Sequence, residues 1–388
     1  MGSPVVAVVG AGQLARMMAG PAEALGVRLR VLAESTTAAA AQVVPEAPVG
    51  RASDGEALRR LVEGPVPADV LTFEHEHVPG EVLRELAAAG VSVQPSAEAL
   101  LHAQDKIVMR ERLGALGVPV PRWAAVPDAG ALADFLAAHG PRVVVKTPRG
   151  GYDGKGVRLV SDPAEVADWF DAGPLLAEEL VPFSRELAVL AARRPSGEVR
   201  TWPVVESWQV DGVCYLVTAP APELDPVVER AARAVAEQVA VGLGVTGVLA
   251  VEMFEVPGGV LVNELAMRPH NSGHWTIEGA VTSQFEQHLR AVLDLPLGDT
   301  AAREPWTVMA NVLGSARAEL AEGLAQVLAL DPGAKVHLYG KEVRPGRKLG
   351  HVTVTGADLA EVRARAESAA AVLRGEGSGP IYRGGTDG

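Results

Sequence analysis

The chain has 388 residues, which predicts two or three domains rather than one. With 48% hydrophobic residues it can form sizeable cores, and its formal net charge of −13 argues against general binding to nucleic acid or membrane surfaces. An anionic ligand must therefore be held by a local cluster of cations. The one cysteine, Cys214, excludes a disulfide framework and a cysteine-based zinc site.

The sequence also predicts a cytoplasmic location. Its first residues run into an apolar strand pattern without a basic leader, and no long uninterrupted apolar segment appears. The low cysteine content fits a reducing compartment. We therefore expect no association with a membrane.

Short apolar strands alternate with helices over residues 1–100. Helices are predicted after Gly10 and after Pro79. The predicted strands are Pro4–Val9, Val27–Leu32, Asp69–Phe73 and Val91–Gln94. This alternation indicates a parallel, doubly wound sheet and hence an α/β domain.

Residues 101–298 and 299–388 form two further predicted domains, joined by a linker at Asp294–Pro305. Strands dominate the middle domain between Leu175 and Val262. The predicted helices of the two domains are Lys106–Leu116, Ala131–Ala138, Asp225–Leu243 and Asp358–Leu373. The tail, residues 375–388, is polar and rich in glycine, so we expect it to be disordered.

A glycine-containing turn at Gly10–Ala15 (GAGQLA) follows the first strand and opens a helix. In that context backbone N–H groups and the helix dipole favour an anion such as a phosphate. A dinucleotide fingerprint would need an acid after the second strand, and Glu34 can supply it. The other alternative is a tight turn without a ligand.

A second glycine-rich loop follows Lys146, in the stretch VVVKTPRGGYDGKGV at residues 143–157. Two strands around this loop predict a hairpin. Its glycines can close over a triphosphate with main-chain N–H donors, while the lysine supplies a mobile charge. It is not a Walker-type loop, because no helix follows. The alternative is a solvent-exposed hairpin.

Two glutamates, Glu252 and Glu264, sit within apolar strands separated by a Pro-Gly-Gly turn. Carboxylates are rarely buried unless they are paired or bind a cation. On facing strands of a hairpin, they and the Asn263 amide can offer hard oxygen ligands to Mg²⁺. The loop MRPHNSGHW at residues 267–275 then brings an arginine, two histidines and an asparagine to the same place, which predicts a catalytic loop.

Near the C-terminal end, YGKEVRPGRKLGH at residues 339–351 places four cations within eight positions. Charge runs are usually solvated faces. Here a Pro-Gly turn fixes the cations, which suits the binding of a substrate phosphate.

Taken together, these motifs resemble the 5-(carboxyamino)imidazole ribonucleotide synthetase family of the ATP-grasp superfamily, ligases of de novo purine biosynthesis that use ATP and bicarbonate. The resemblance covers nearly the whole chain, through Gly10–Met17, Lys146–Gly156, Asn263–Thr276, Ser283–Ala291 and Tyr339–His351. It implies an α/β (α+β) ATP-grasp fold with a Rossmann-like pre-ATP-grasp domain and a small C-terminal domain. It also implies a cytoplasmic homodimer that binds small molecules.

The resemblance implies roles for individual residues. Those implied for ATP are Lys106, Lys146, Gly151, Tyr152, Asp153, Gly154, Lys155, Gly156, Glu178, Glu179, Leu180, Val181, Glu186, Asn263 and Glu264. Glu252 and Glu264 match the Mg²⁺ ligands. Those implied for catalysis are Asp153, Arg268, His270 and Asn271. Those implied for aminoimidazole ribonucleotide are Gln13, Leu14, Glu76, Tyr152, Asp153, Lys341, Arg344 and Arg347.

The implied reaction begins with attack of bicarbonate on the γ-phosphate of ATP, giving carboxyphosphate and ADP. The ribonucleotide amine is then carboxylated, either by carboxyphosphate or by CO₂ released from it. The amine loses a proton to Asp153 or His270, and the sequence chooses neither the donor nor the acceptor. Another ATP-grasp ligase is disfavoured by GGYDGKG, HNSGHW and RPGRK together. A second alternative, an NAD-dependent dehydrogenase, would give no function to the two glutamates and the Lys146 loop. A third, an inactive nucleotide-binding regulator, is disfavoured by the complete set of acids and cations.

Overall fold

The computed structural model describes residues 2–151, 155–210 and 212–377. Within these ranges, no helix combines the length and the apolar character that a membrane span requires. Five clusters of buried apolar side chains lie between its sheets and helices.

The N-terminal part contains a parallel sheet with the strand order β2-β1-β3. Its elements are β1 (Val5–Val9), α1 (Gln13–Ala24), β2 (Arg28–Leu32), α2 (Gly55–Glu63), β3 (Val70–Phe73), α3 (Gly80–Ala88) and α4 (Ala97–Gln104). All five residues of β1 are buried, as expected for a central parallel strand. The predicted strand Val91–Gln94 is reduced to one parallel bridge between Val93 and Leu71, in which Leu71 bonds to the Ser92 carbonyl and the Gln94 N–H.

The next part is a four-stranded antiparallel sheet with the order β4-β7-β5-β6. Its elements are α5 (Lys106–Ala115), β4 (Trp123–Val126), α6 (Ala129–His139), β5 (Val143–Lys146), β6 (Val157–Val160), a 3₁₀ segment at Pro163–Ala172, and β7 (Leu175–Glu179). Strands β5 and β6 are antiparallel neighbours, with Lys146 opposite Val157. The predicted hairpin around the glycine loop is therefore confirmed.

A nine-stranded sheet forms the rest of the molecule, in the order β13-β12-β8-β10-β11-β14-β16-β15, with β9 beside β8. Its strands are β8 (Arg185–Arg193), β9 (Val199–Thr201), β10 (Val205–Val210), β11 (Val213–Ala219), β12 (Gly247–Val256), β13 (Gly259–Ala266), β14 (Trp306–Leu313), β15 (Lys335–Leu338) and β16 (Lys348–Gly356). The helices are α7 (Pro226–Gly242), α8 (Thr276–Gly279), α9 (Gln284–Val292), α10 (Ala321–Leu330) and α11 (Leu359–Arg374), with a 3₁₀ turn at Asn271–Gly273.

This sheet crosses the predicted limit between the second and third domains. Strand β14 pairs with β11, and Ala310 lies opposite Leu216. Helix α11 covers the C-terminal strands with a buried face that includes Ala366, Ala370 and Leu373. The domain limits at residues 100 and 298 stay predictions.

Candidate active site

A cavity of about 1450 Å³ is lined by residues from all three parts of the chain. The predicted site residues that line it are Gln13, Leu14, Glu76, Lys106, Lys146, Gly151, Lys155, Glu178, Glu179, Leu180, Val181, Glu186, Glu252, Asn263, Glu264, Arg268, His270, Asn271, Lys341, Arg344 and Arg347. Tyr152, Asp153 and Gly154 lie outside the described residues. Segments separated by more than 300 positions in the sequence thus meet at one place.

Gly156 does not line the cavity and instead supports the glycine loop. Its carbonyl accepts a hydrogen bond of 2.9 Å from the Thr147 N–H. Its φ is +72°, and an added Cβ would lie 2.4 Å from the Thr147 hydroxyl oxygen. Glycine is therefore needed here for a close approach of the two strands.

Glu252 and Glu264 lie directly opposite each other on β12 and β13, as predicted for a hairpin. Burial, together with the nearby charges of Glu264 and Glu186, raises the pKa of Glu252 to about 8. Burial also disfavours ionisation of Glu264, but Lys106 and Lys146 outweigh it and lower the pKa of that carboxyl. Lys106 Nζ lies 3.0 Å from Glu264 Oε1.

These carboxylates have the chemistry of a magnesium site. Burial, with Glu264 nearby, raises the pKa of the Glu186 carboxyl to about 7, so this wall of the cavity resists further negative charge. A bound cation would relieve that repulsion. In magnesium sites, a few carboxylates are commonly joined by phosphate oxygens and water. The residues present therefore fit Mg²⁺ bound together with a nucleotide.

Lys146 is held at the cavity wall by a buried acid. Its Nζ lies 2.8 Å from Glu178 Oε2 and donates a hydrogen bond of 2.9 Å to Asn263 Oδ1. On the other side, Arg110 Nε donates to Glu178 Oε1 at 2.5 Å. Burial opposes the charge on Glu178, but Lys146 and Arg110 lower its pKa.

Arg110 is a site residue that was not predicted from the sequence. Its side chain is fully buried, and it also donates to the Asn263 carbonyl at 2.7 Å. Arginine is rarely buried, so composition alone does not single it out. A signal existed in its spacing: it follows Lys106 by four residues on α5 and therefore shares its helix face.

The end of the cavity beside Glu178–Val181 is partly apolar. The rings of Phe183 and Phe254 stack with centroids 4.5 Å apart and an interplanar angle of 13°. Leu180 and Phe183 are both exposed at this point. Such a surface can hold a flat aromatic base.

The catalytic loop predicted at residues 267–275 lies beside the carboxylates. Arg268 Nε is 2.9 Å from Glu76 Oε1, and His270 Nε2 is 4.0 Å from Glu252 Oε1. The other ring nitrogen of His270, Nδ1, lies 2.9 Å from the Ser272 hydroxyl. Burial, with the charge of Arg268, lowers the pKa of His270 well below its usual value. The imidazole is therefore neutral near pH 7.

The cationic turn after β15 faces helix α1 across the cavity. Lys341 Nζ donates to the Gln13 side-chain oxygen. Gln42 Nε2 donates to the Gly340 carbonyl at 2.8 Å, which ties the same turn to the N-terminal part. Arg344 is paired with Glu342 at 2.7 Å, and both side chains are exposed.

The Gly10–Ala15 turn binds an anion, but the anion belongs to the chain itself. The Glu74 carboxylate accepts hydrogen bonds from the backbone N–H groups of Gly12 and Ala15. Burial raises the pKa of Glu74, while these N–H groups oppose the shift. Glu74 was not predicted as a site residue, because it follows β3 and has no local pattern of its own.

Three family models together match most of the chain. They are described as a ribonucleotide synthetase preATP-grasp domain (residues 4–104), an ATP-grasp domain (residues 111–285) and a phosphoribosylaminoimidazole carboxylase C-terminal domain (residues 307–365). The predicted ATP-grasp fold with its flanking N-terminal and C-terminal domains is thereby confirmed.

Individual proteins resemble the chain over nearly its full length. The N5-carboxyaminoimidazole ribonucleotide synthase of Mycobacterium tuberculosis is 55% identical over 377 residues, which cover 95% of this chain and 87% of the relative. The synthetase structure from Thermus thermophilus has a TM-score of 0.86 at 39% identity, covering 97% of this chain and 100% of that one. The Aspergillus clavatus synthase, in complex with ADP and 5-aminoimidazole ribonucleotide, also has a TM-score of 0.86, at 32% identity and 96% and 98% coverage. The chain belongs to the N5-carboxyaminoimidazole ribonucleotide synthase family.

Proposed function

We propose that the chain is an ATP-dependent ligase that carboxylates the exocyclic amine of 5-aminoimidazole ribonucleotide. Bicarbonate, ATP and the ribonucleotide give N5-carboxyaminoimidazole ribonucleotide, ADP and phosphate, a step of purine biosynthesis. The observation that carries the proposal is the meeting, in one cavity, of the paired acids Glu252 and Glu264 with the cationic turn at residues 341–347.

The nucleotide end of the cavity supplies positioning and charge. Lys106 and Lys146 contact the ATP phosphates, the glycine loop covers them, and Glu178–Val181 lies along the adenine, with Glu186 near the ribose. Glu252 and Glu264 would hold Mg²⁺, which supplies neutralisation of phosphate charge when bound. Phosphoryl transfer depends mainly on such positioning and electrostatic stabilisation.

The centre of the cavity holds the short-lived carboxyphosphate. Bicarbonate oxygen bonds to the γ-phosphorus as the bond to ADP breaks. Arg268, His270 and Asn271 surround the new mixed anhydride, and the glycine loop must close over it to exclude water. The ribonucleotide amine then bonds to the carboxyl carbon, phosphate leaves, and the amine proton passes to His270 or Asp153. Both residues belong to the predicted catalytic set, and the proton acceptor is one of the two.

The end of the cavity opposite the nucleotide holds the ribonucleotide. Lys341, Arg344 and Arg347 bind its phosphate, while Gln13, Leu14 and Glu76 line the opposite wall. Tyr152 and Asp153 complete the predicted set. The low cysteine content supports a cytoplasmic location, and the resemblance to the family supports a homodimer acting on small molecules.

The test measures ADP formation and ¹⁴C-bicarbonate incorporation, with ATP present and with or without aminoimidazole ribonucleotide. We expect the ribonucleotide to stimulate ADP formation and to become labelled. ATP hydrolysis without either effect would keep the fold but refute the substrate. A change in NADH absorbance with no ADP formed would favour the dehydrogenase alternative.

A further inference from the structure

Two histidines without a role in this scheme, His274 and His351, lie face to face in the protein interior. Their ring centroids are 4.9 Å apart, the interplanar angle is 27°, and both side chains are fully buried. His337 also stacks on His351, with centroids 4.5 Å apart and an angle of 16°. We call these three side chains the histidine stack. It joins the catalytic loop to strands β15 and β16.

At the catalytic end, one buried glutamine holds both histidines of the loop. Gln284 Nε2 lies 3.0 Å from His274 Nδ1 and donates to the His270 carbonyl at 2.8 Å. Gln284 Oε1 accepts a hydrogen bond of 2.8 Å from the His270 N–H. The side-chain amide that orients the His274 ring therefore also fixes the backbone of His270.

At the other end, the stack reaches the base of the cationic turn. Tyr339 is fully buried, and its hydroxyl lies 2.7 Å from His351 Nδ1. The chain then turns at Gly340, where φ is +66°, and Lys341 Nζ lies 5.7 Å from the centre of the Tyr339 ring. The hydroxyl contact therefore anchors the residue from which the turn departs.

These contacts favour one arrangement over others. A buried hydroxyl or ring nitrogen that loses its partner costs more than an ordinary hydrogen bond contributes. Close-packed rings also resist sliding, because a shift of one opens a gap beside the next. The turn and the catalytic loop are therefore held in a fixed relation, although Lys341 and His270 lie on separate segments.

We propose that Tyr339 and His351 are positioning residues, which set the ribonucleotide turn (residues 339–347) relative to the catalytic loop (residues 267–275) through the histidine stack. The inference rests on the proposed function of this cavity. Loosening the stack displaces the ribonucleotide from the carboxyphosphate, whereas ATP binding at the opposite end is untouched. A larger fraction of the ATP is then hydrolysed without carboxylation of the ribonucleotide.

The test is Tyr339→Phe, which removes one oxygen and keeps the ring. The Michaelis constant for the ribonucleotide should rise about five- to tenfold, that for ATP should stay within about twofold, and ADP formed per ribonucleotide consumed should exceed that of the wild type. The matched control is Tyr215→Phe, on strand β11 of the nine-stranded sheet and outside the cavity, which removes a hydroxyl bonded to Arg374. The control should change none of the three values.

Equal rises in both Michaelis constants, or no rise in either, would overturn the positioning role. Should Tyr339→Phe not fold, His351→Asn applies the same criterion: a folded variant without the split between substrates overturns the proposal. Wild-type protein that fails to carboxylate the ribonucleotide would instead refute the proposed function, so the two failures are distinguishable.

Discussion

The Glu74 carboxylate accepts a hydrogen bond from the backbone N–H of Gly12, at the N-terminus of helix α1. A second bond from the Ala15 N–H, at 3.1 Å, completes the contact. A turn that resembles a phosphate-binding loop thus fastens β3 to α1 with an internal anion. The glycines are needed because the carboxylate comes so close to the backbone.

Gly12→Ala should lower the free energy of unfolding by about 1–3 kcal/mol, since its Cβ would lie 2.7 Å from Glu74 Oε1. Urea denaturation measures the change. Gly114→Ala, in the open on helix α5, is the control and should stabilise the chain slightly. Equal effects of the two substitutions would contradict a specific contact with Glu74.

Glu178→Gln should destabilise the chain by about 3–5 kcal/mol, because Lys146 and Arg110 would keep buried charges without a counter-ion. The midpoint and slope of urea unfolding give the value. The control is Glu85→Gln, whose partner Arg59 is in an exposed ion pair. We expect that variant to unfold like the wild type, and a similarly small effect of Glu178→Gln would show that the buried charges are solvated.

Binding of Mg²⁺ in the presence of ADP should release a proton at pH 7. The pKa of Glu252, raised to about 8, means that its carboxyl is mostly protonated at that pH, whereas a metal ligand must be ionised. Apparent Mg²⁺ affinity should therefore fall by up to about tenfold per pH unit below pH 8. Calorimetry in buffers with different heats of ionisation measures the number of protons released on binding. Proton release that persists in the Glu252→Gln variant would assign the proton to another group.

Lys341→Ala should raise the Michaelis constant for the ribonucleotide about 10- to 100-fold, as expected for the loss of a charge-assisted contact to phosphate. The constant for ATP should change little. Lys335→Ala, at an exposed position on β15, is the matched control. Parallel increases for both substrates in Lys341→Ala would remove Lys341 from the phosphate site.

The hairpins of this protein could be predicted from local sequence. Apolar runs around glycine turns were enough to place Lys146 at the end of one strand and Glu252 opposite Glu264. Both features depend only on strand periodicity and turn chemistry over short stretches. The helices that were predicted lie within a few residues of their observed ends, whereas α2, α4, α8, α9 and α10 were not predicted.

Contacts between distant segments could not be predicted in this way. Glu74 lies 62 positions from Gly12, and Arg110 lies 68 positions from Glu178. The packing of whole elements determines such partners, so the residues next to each of them in the sequence do not predict the contact. The histidine stack was missed for this reason too, although two of its members stand in motifs that the sequence made conspicuous.

The insertion of β14 beside β11 has a consequence for synthesis on the ribosome. About 90 residues separate the two strands. At a synthesis rate of roughly 5–20 residues per second, the edge of β11 therefore stays unpaired for several seconds before β14 is made. An uncovered edge invites pairing with other chains. Limited proteolysis of chains arrested before residue 306 should cut within β11, and protection there would show that another segment covers it. The last quarter of the chain therefore closes the sheet that the earlier segments leave open.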